Sequence, residues 1–338
     1  MSSVHTTSAE GGPGPTTPAP ESGSPQAEET GFPGTLPFGA RLAAAMDDHG
    51  PLCVGIDPHA ALLAAWGLPD DAAGLREFSL RVVEALGGRV AAVKPQSAFF
   101  ERHGSAGIAV LEETLQALRA AGTLSILDVK RGDIGSTMGG YAQAYLADGA
   151  PLAADAITVS PYLGYGSLAP ALEAASATGR GLFVLGLTSN PEGATVQHAV
   201  TASGRAVAAA IADGAAASNA AARAAGTLGS VGLVVGATIG DAVRETGIDL
   251  AATNAPLLAP GVGAQGAGEA ELAHVFGAAR AQVLASTSRG VLSAGPDPDA
   301  LCGAAGRAAS EAGRALRRQN DTPSNCGPHH LREGVARL

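Results

Sequence analysis

The stretch Leu124-Ser-Ile-Leu-Asp-Val-Lys-Arg-Gly-Asp133 decides how the chain is read. Its first six residues, Leu124–Val129, form a short and mainly apolar β-like run, and charge gathers where the run ends. Seven similar runs lie on either side: Leu52–Ile56, Val90–Lys94, Ala156–Ser160, Leu182–Leu187, Val231–Ala237, Ala255–Ala259 and Ala281–Ser286. Longer segments compatible with helix alternate with them, such as Leu75–Leu86, Ile108–Ala120, Arg205–Ala225 and Asp299–Arg317. The runs do not alternate cleanly between apolar and polar residues, as expected of parallel strands buried on both faces. Eight strand–helix units in roughly 270 residues predict an α/β fold, a (β/α)8 TIM barrel. A doubly wound open sheet is the alternative, but eight repeats without a reversal favour the barrel.

In such a barrel, chemistry gathers at the C-terminal ends of the strands. Asp57 ends the first run, Lys94 the second, and Asp128 with Lys130 the third; Asp133 follows in the loop. The i, i+2 spacing of Asp128 and Lys130 puts both side chains on one face of a strand. Lys94 and Lys130 are the only lysines in the chain, against nineteen arginines. Guanidinium stays protonated, whereas an ammonium can hand over a proton, so these lysines are candidates for proton transfer. Plainer roles compete: Asp57 could accept backbone N–H bonds before Pro58, and Asp133 could start the next helix.

The seventh run leads into Ala259-Pro-Gly-Val-Gly-Ala-Gln-Gly266, where Gly261, Gly263 and Gly266 match G-x-G-x-x-G. The motif lies late in the chain, and no acidic residue follows near Ser286, so a dinucleotide fold is disfavoured. It reads instead as a loop offering backbone N–H groups to phosphate. Arg289 follows the eighth run, at the usual phosphate position of these barrels, although a surface ion pair would also explain it. The histidines show no ligand spacing.

Net charge is −10 and 46% of the residues are hydrophobic. That balance disfavours non-specific binding to nucleic acid or to an anionic membrane. No apolar run is long enough to span a bilayer, and no signal peptide is evident. Cys53, Cys302 and Cys326 are odd in number and far apart, which argues against a disulfide framework and for a cytoplasmic location. Residues 1–35 read as a disordered tail, 36–316 as the barrel, and 317–338 as a polar tail. Cys326 and His329 in that tail are too few to suggest a metal.

Asp128, Lys130 and Asp133, continued by Ile134 and Thr137, resemble the D-x-K-x-x-D signature of the orotidine 5′-phosphate decarboxylases. Pro37-Phe-Gly39, Gly55-Ile-Asp-Pro58, Lys94-Pro-Gln96, Phe99-Phe-Glu101, Ser160-Pro-Tyr-Leu-Gly164 and Pro260-Gly261 through Gln265-Gly266 extend the likeness to the longer-chain bacterial branch. The D-x-K-x-x-D core alone is shared with sugar-phosphate relatives; the full set is far more specific.

The resemblance implies conversion of orotidine 5′-phosphate to uridine 5′-phosphate and CO2 in de novo pyrimidine biosynthesis, with neither metal nor organic cofactor. It implies a homodimer in which Asp133 and Thr137 enter the neighbouring subunit's site. Lys130 would protonate C6, Asp128 would lie near the departing carboxylate, and Lys94 would join their charge network. Asp57 would bind ribose, Ser160 the pyrimidine, and Gln265 with Arg289 the phosphate. Rival readings are a metal-dependent sugar-phosphate decarboxylase or aldolase, a barrel that binds a nucleotide without turnover, and, on the glycine loop alone, a nicotinamide oxidoreductase.

Overall fold

Eight parallel strands close on themselves in a computed structural model that describes residues 36–262 and 267–316. They are β1 (Leu52–Ile56), β2 (Ala92–Pro95), β3 (Leu124–Arg131), β4 (Ala156–Val159), β5 (Gly181–Leu187), β6 (Val231–Val235), β7 (Leu257–Pro260) and β8 (Val283–Thr287). Each pairs with the next, and β8 returns to β1 through Leu52↔Ala285 and Cys53↔Ser286. The (β/α)8 barrel is therefore observed. The expectations for both tails, and for Gly263, Gln265, Gly266, Cys326 and His329, lie outside the described residues.

Strand parity explains the missing alternation. Cys53, Ile126, Phe183, Val234, Leu258 and Leu284 point inward and pack together. Their neighbours Val54, Leu127, Ile157, Val184, Leu233 and Leu257 point outward into a second cluster shared with the helices. Both faces of every strand are thus apolar, except where inward positions reach the C-terminal rim.

The opposite rim is plugged by the helix Phe38–His49, an element the sequence reading did not anticipate. Phe38, Leu42 and Met46 recur every fourth residue, lie on one face and are fully or almost fully buried. The Phe38 ring meets Phe183 edge-on at 5.9 Å. A Cβ on Gly181 would stand 2.2 Å from the Phe38 ring, so the plug requires glycine there. Arg41 fastens the helix through Asp155 Oδ1 at 2.5 Å and the Gly179 carbonyl at 3.0 Å. Phe38→Ala should lower unfolding free energy by about 3–5 kcal/mol in denaturant titrations. Because the plug is remote from the opposite rim, kcat per folded molecule should stay near the parent value.

Two boundaries moved for identifiable reasons. β7 starts at Leu257, not Ala255, because Pro256 has no N–H for a ladder and offers only its carbonyl, to Leu233 N at 3.0 Å. The expected helix Arg205–Ala225 divides into Val207–Ser218 and Ala220–Ala224. Between them, the buried Asn219 amide donates to Val231 O and Thr253 O and accepts from Val231 N. Cys53 is a free buried thiol. Among the described residues no helix is long and apolar enough to cross a membrane.

Candidate active site

Strand parity carries the inward residues up to the C-terminal rim, where they turn polar. On β3, Leu124 and Ile126 are followed by Asp128 and Lys130; on β4, Ala156 is followed by Thr158 and then Ser160. Asp128 is the centre. Its Oδ2 accepts from Lys94 Nζ at 2.8 Å and Gln96 Nε2 at 2.9 Å. Its Oδ1 accepts from Lys130 Nζ at 2.5 Å and Thr158 Oγ1 at 2.8 Å. Four donors thus saturate one buried carboxylate.

The electrostatics follow from that crowding. Burial pushes the Asp128 carboxyl upward, but the two ammonium groups and their hydrogen bonds win and hold it well below the ordinary carboxylate range. Burial likewise pushes Lys94 down, yet the carboxylates of Asp128 and Asp57 outweigh it and hold the ammonium above its usual range. Beneath them, burial pushes the Cys53 thiol up to about 12, so it stays neutral. Asp128 and Lys94 are therefore a permanent ion pair at neutral pH.

The two lysines differ in access. The Lys94 side chain is 10% exposed, whereas that of Lys130 is 46% exposed and reaches into open space. Lys130 also has φ +46°, a left-handed conformation that costs a non-glycine residue about 1–2 kcal/mol. The β3–β4 register shifts between Leu127 and Arg131 at this point, and Lys130 N donates to Thr158 Oγ1 at 2.9 Å. Strain of this kind persists where the surroundings enforce it, commonly at functional sites.

A cavity of about 1160 Å³ opens above the cluster. Asp57, Lys94, Asp128, Lys130, Ser160, Gly261 and Arg289 all line it. Asp57 Oδ1 is buried there without a hydrogen-bond partner, and an orphan acceptor of that kind fits a ligand hydroxyl. Arg289 opens the short helix Arg289–Leu292 and is exposed. Gly261 has φ +98°, which favours glycine.

Asp133 and Thr137 do not line the cavity of their own chain. Of the three carboxylates expected to serve the site, Asp57 and Asp128 line this cavity. Asp133 Oδ1 accepts from Ile134 N at 2.8 Å, just before the helix Gly135–Leu146 that carries an exposed Thr137.

Several lining residues were not anticipated as site residues. Gln96 and Thr158 complete the Asp128 shell, and their inward parity at strand ends was the available signal. The loop after β5 adds a polar wall in which Gln197 bridges Thr188 N and Oγ1 at 3.0 and 2.7 Å. Ser288 is fitted to Gly55, where a Cβ would lie 2.1 Å from Ser288 Oγ and 3.2 Å from Asp57 Oδ2. Gly55→Ala should therefore displace Ser288 and Asp57 and raise KM for a phosphorylated ligand about tenfold, on the order of the 1.4 kcal/mol that one disturbed polar contact costs. Steady-state kinetics would check it.

A closed parallel barrel whose C-terminal rim holds a buried Asp128 carboxylate between Lys94 and Lys130 defines a TIM-barrel protein with a charged site in its mouth. Residues 50–303 match the model of the orotidine 5′-phosphate decarboxylase / HUMPS family, and the chain belongs to that family. It is 62% identical over 279 residues to the orotidine 5′-phosphate decarboxylase of Salinispora arenicola, covering 82% of this chain and 98% of that protein. The enzyme of the same name from Streptomyces coelicolor is 61% identical, with 81% and 96% covered. A crystal structure from Streptomyces avermitilis, provisionally given that name, superposes with a TM-score of 0.79 at 61% identity, covering 84% of this chain and 97% of that one.

Proposed function

We propose that the chain decarboxylates orotidine 5′-phosphate to uridine 5′-phosphate and CO2, a step of de novo pyrimidine biosynthesis, with Lys130 as the proton donor. Family membership supports the reaction, and the unequal exposure of the two lysines carries the residue assignment. Lys94 is sealed against Asp128, so Lys130 is the ammonium that can meet a substrate atom.

In the proposed step the bond between C6 and the carboxylate breaks, CO2 departs, and the electron pair remains on C6. No neighbouring sink delocalises that charge. The Lys130 ammonium stabilises it at short range and then supplies the proton, leaving a neutral amine for solvent to reprotonate. Asp128 and Lys94 hold Lys130 in place, and the negative Asp128 faces the substrate carboxylate. Asp57, with its orphan oxygen, takes a ribose hydroxyl. Gly261 and Arg289 take the phosphate, whose remote binding energy helps hold the reacting end. Ser160 is assigned to the pyrimidine.

The functional unit is proposed to be a homodimer in which Asp133 and Thr137 serve the neighbouring site. Two observations support it: neither residue lines its own cavity, and Ile134, Tyr162 and Leu163 stand exposed on the adjoining loops after β3 and β4. A metal-free reaction is part of the proposal. Purified protein mixed with orotidine 5′-phosphate and a chelator should bleach the orotate absorbance and yield uridine 5′-phosphate. Turnover only after a divalent metal is restored would point to the metal-dependent reading, and binding without turnover to a ligand-binding barrel.

A further inference from the structure

The segment that carries Lys130 is gripped from outside the barrel. Arg131, the next residue, turns its side chain to the outer face. Its Nη2 donates to Glu101 Oε1 at 2.6 Å and to the Tyr145 hydroxyl at 3.3 Å. Its guanidinium carbon lies 5.6 and 5.9 Å from the ring centres of Tyr141 and Tyr145, within cation–π range. Nη1 reaches back to the Val129 carbonyl at 3.3 Å, and the Arg131 carbonyl accepts from Ser160 N at 2.8 Å.

Glu101 is itself steadied by Ser97 Oγ at 2.6 Å, in the helix Ser97–Glu101. That helix begins one residue after Gln96, whose amide holds Asp128. The segment 96–101 therefore grips β3 twice, at Asp128 inside the barrel and at Arg131 outside it. Val129 and Lys130 lie between the grips, and Lys130 is the one with a left-handed backbone. None of Arg131, Glu101, Tyr141 and Tyr145 lines the cavity.

We propose that Arg131, clamped by Glu101 and the two tyrosines, is a positioning residue that holds the Lys130 backbone in the conformation aiming its ammonium into the cavity. The proposal deepens the reading of Lys130 as proton donor and rests on it. Tyr141 and Tyr145 belong to the helix Gly135–Leu146. The clamp therefore also fixes both ends of the short link carrying Asp133. An ordinary surface ion pair would contribute little and would not discriminate between binding and chemistry. A positioning clamp acts on the chemical step, because small displacements of a reacting group cost rate far more than they cost binding.

The test is steady-state kinetics of the full chain with orotidine 5′-phosphate. Arg131→Met keeps the aliphatic stem and removes the guanidinium; Glu101→Gln keeps the shape and removes the charge. For Arg131→Met, kcat should fall about 10- to 100-fold, the scale of a misplacement near 1 Å, while KM stays within about threefold. Glu101→Gln should show a smaller fall with the same split, and the double variant should be no worse than Arg131→Met, as for residues acting as one unit. Added guanidinium should restore part of kcat to Arg131→Ala.

A folded Arg131→Met with parental kcat overturns the proposal, as does a loss explained wholly by a smaller folded fraction. If Arg131→Met does not fold, Glu101→Gln decides: a fall in kcat at constant KM supports the clamp, and unchanged kcat overturns it. Lys130→Arg, assayed alongside, separates the layers. Near-normal turnover there removes the donor reading and the clamp with it. An inactive Lys130→Arg beside a fully active Arg131→Met removes the clamp alone.

Discussion

Lys130→Arg should abolish turnover, with a loss of about 10⁴-fold or more, while a phosphate-bearing nucleotide still binds. The loss combines removal of a general acid, about 10² to 10⁴-fold, with misplacement of a charge whose stabilisation of a developing anion contributes a further 10²–10³-fold. Arginine keeps the positive charge but has no proton to give at neutral pH. Its planar fork also cannot occupy the point where Lys130 Nζ meets Asp128 Oδ1 at 2.5 Å. Binding should survive because Asp57, Gly261 and Arg289, the residues proposed to hold the ligand, follow strands other than β3. Single-turnover assays, paired with titration of uridine 5′-phosphate, separate the two effects. Near-parental turnover in this variant would show that Lys130 is not the donor.

Asp128→Ala should damage the fold as much as Phe38→Ala. Asp128 is 7% exposed and accepts from four donors, so its removal strands the buried Lys94 ammonium with Asp57 as its remaining counter-charge. Breaking a buried pair from one side costs about 3–5 kcal/mol. Turnover should be lost as well, because Lys130 loses the carboxylate that anchors it.

The pH dependence separates this loss from simple truncation. In the parent, Asp128 has a depressed folded pKa. Its stabilisation is present above the unfolded value of about 3.9 and disappears as pH falls through the folded value. Lys94 has a raised folded pKa. Its stabilisation is present below the unfolded value of about 10.4 and disappears as pH rises through the folded value. Parental stability should therefore be insensitive to this pair across the neutral range. Without Asp128, burial governs Lys94, the folded protein favours the neutral amine, and the deficit should shrink as pH rises toward 10. Denaturant titrations from pH 6 to 10 read it directly; a deficit independent of pH would mean that a lost cavity filling, and not a stranded charge, dominates.

The barrel and the centre of its site were legible because both are written in local periodicities. A strand repeats every two residues, so Ile126, Asp128 and Lys130 had to share a face, and Lys94 and Asp57 had to stand at strand ends. The rarity of lysine singled out two of these positions before any geometry was known. The resemblance added roles that periodicity does not carry, including the cross-subunit part of Asp133 and Thr137.

Other features were not legible. Gln96 and Thr158 are ordinary residues until barrel closure brings β2 and β4 against β3 and directs both at Asp128. The helix Phe38–His49 shows its meaning only once a barrel mouth exists for Phe38 to fill. Which lysine is sealed and which is open, 10% against 46% exposed, depends on a left-handed residue at the point where the β3–β4 register shifts. The amino-acid sequence by itself determined the (β/α)8 architecture and the charged strand ends, because these follow from short-range pattern. Only the tertiary structure decided the partners of Asp128, the reach of Lys130 and the exclusion of Asp133 from its own cavity. Each of those depends on register and closure between segments distant in the chain, and the energy of a buried charge is set by whichever groups that closure places around it.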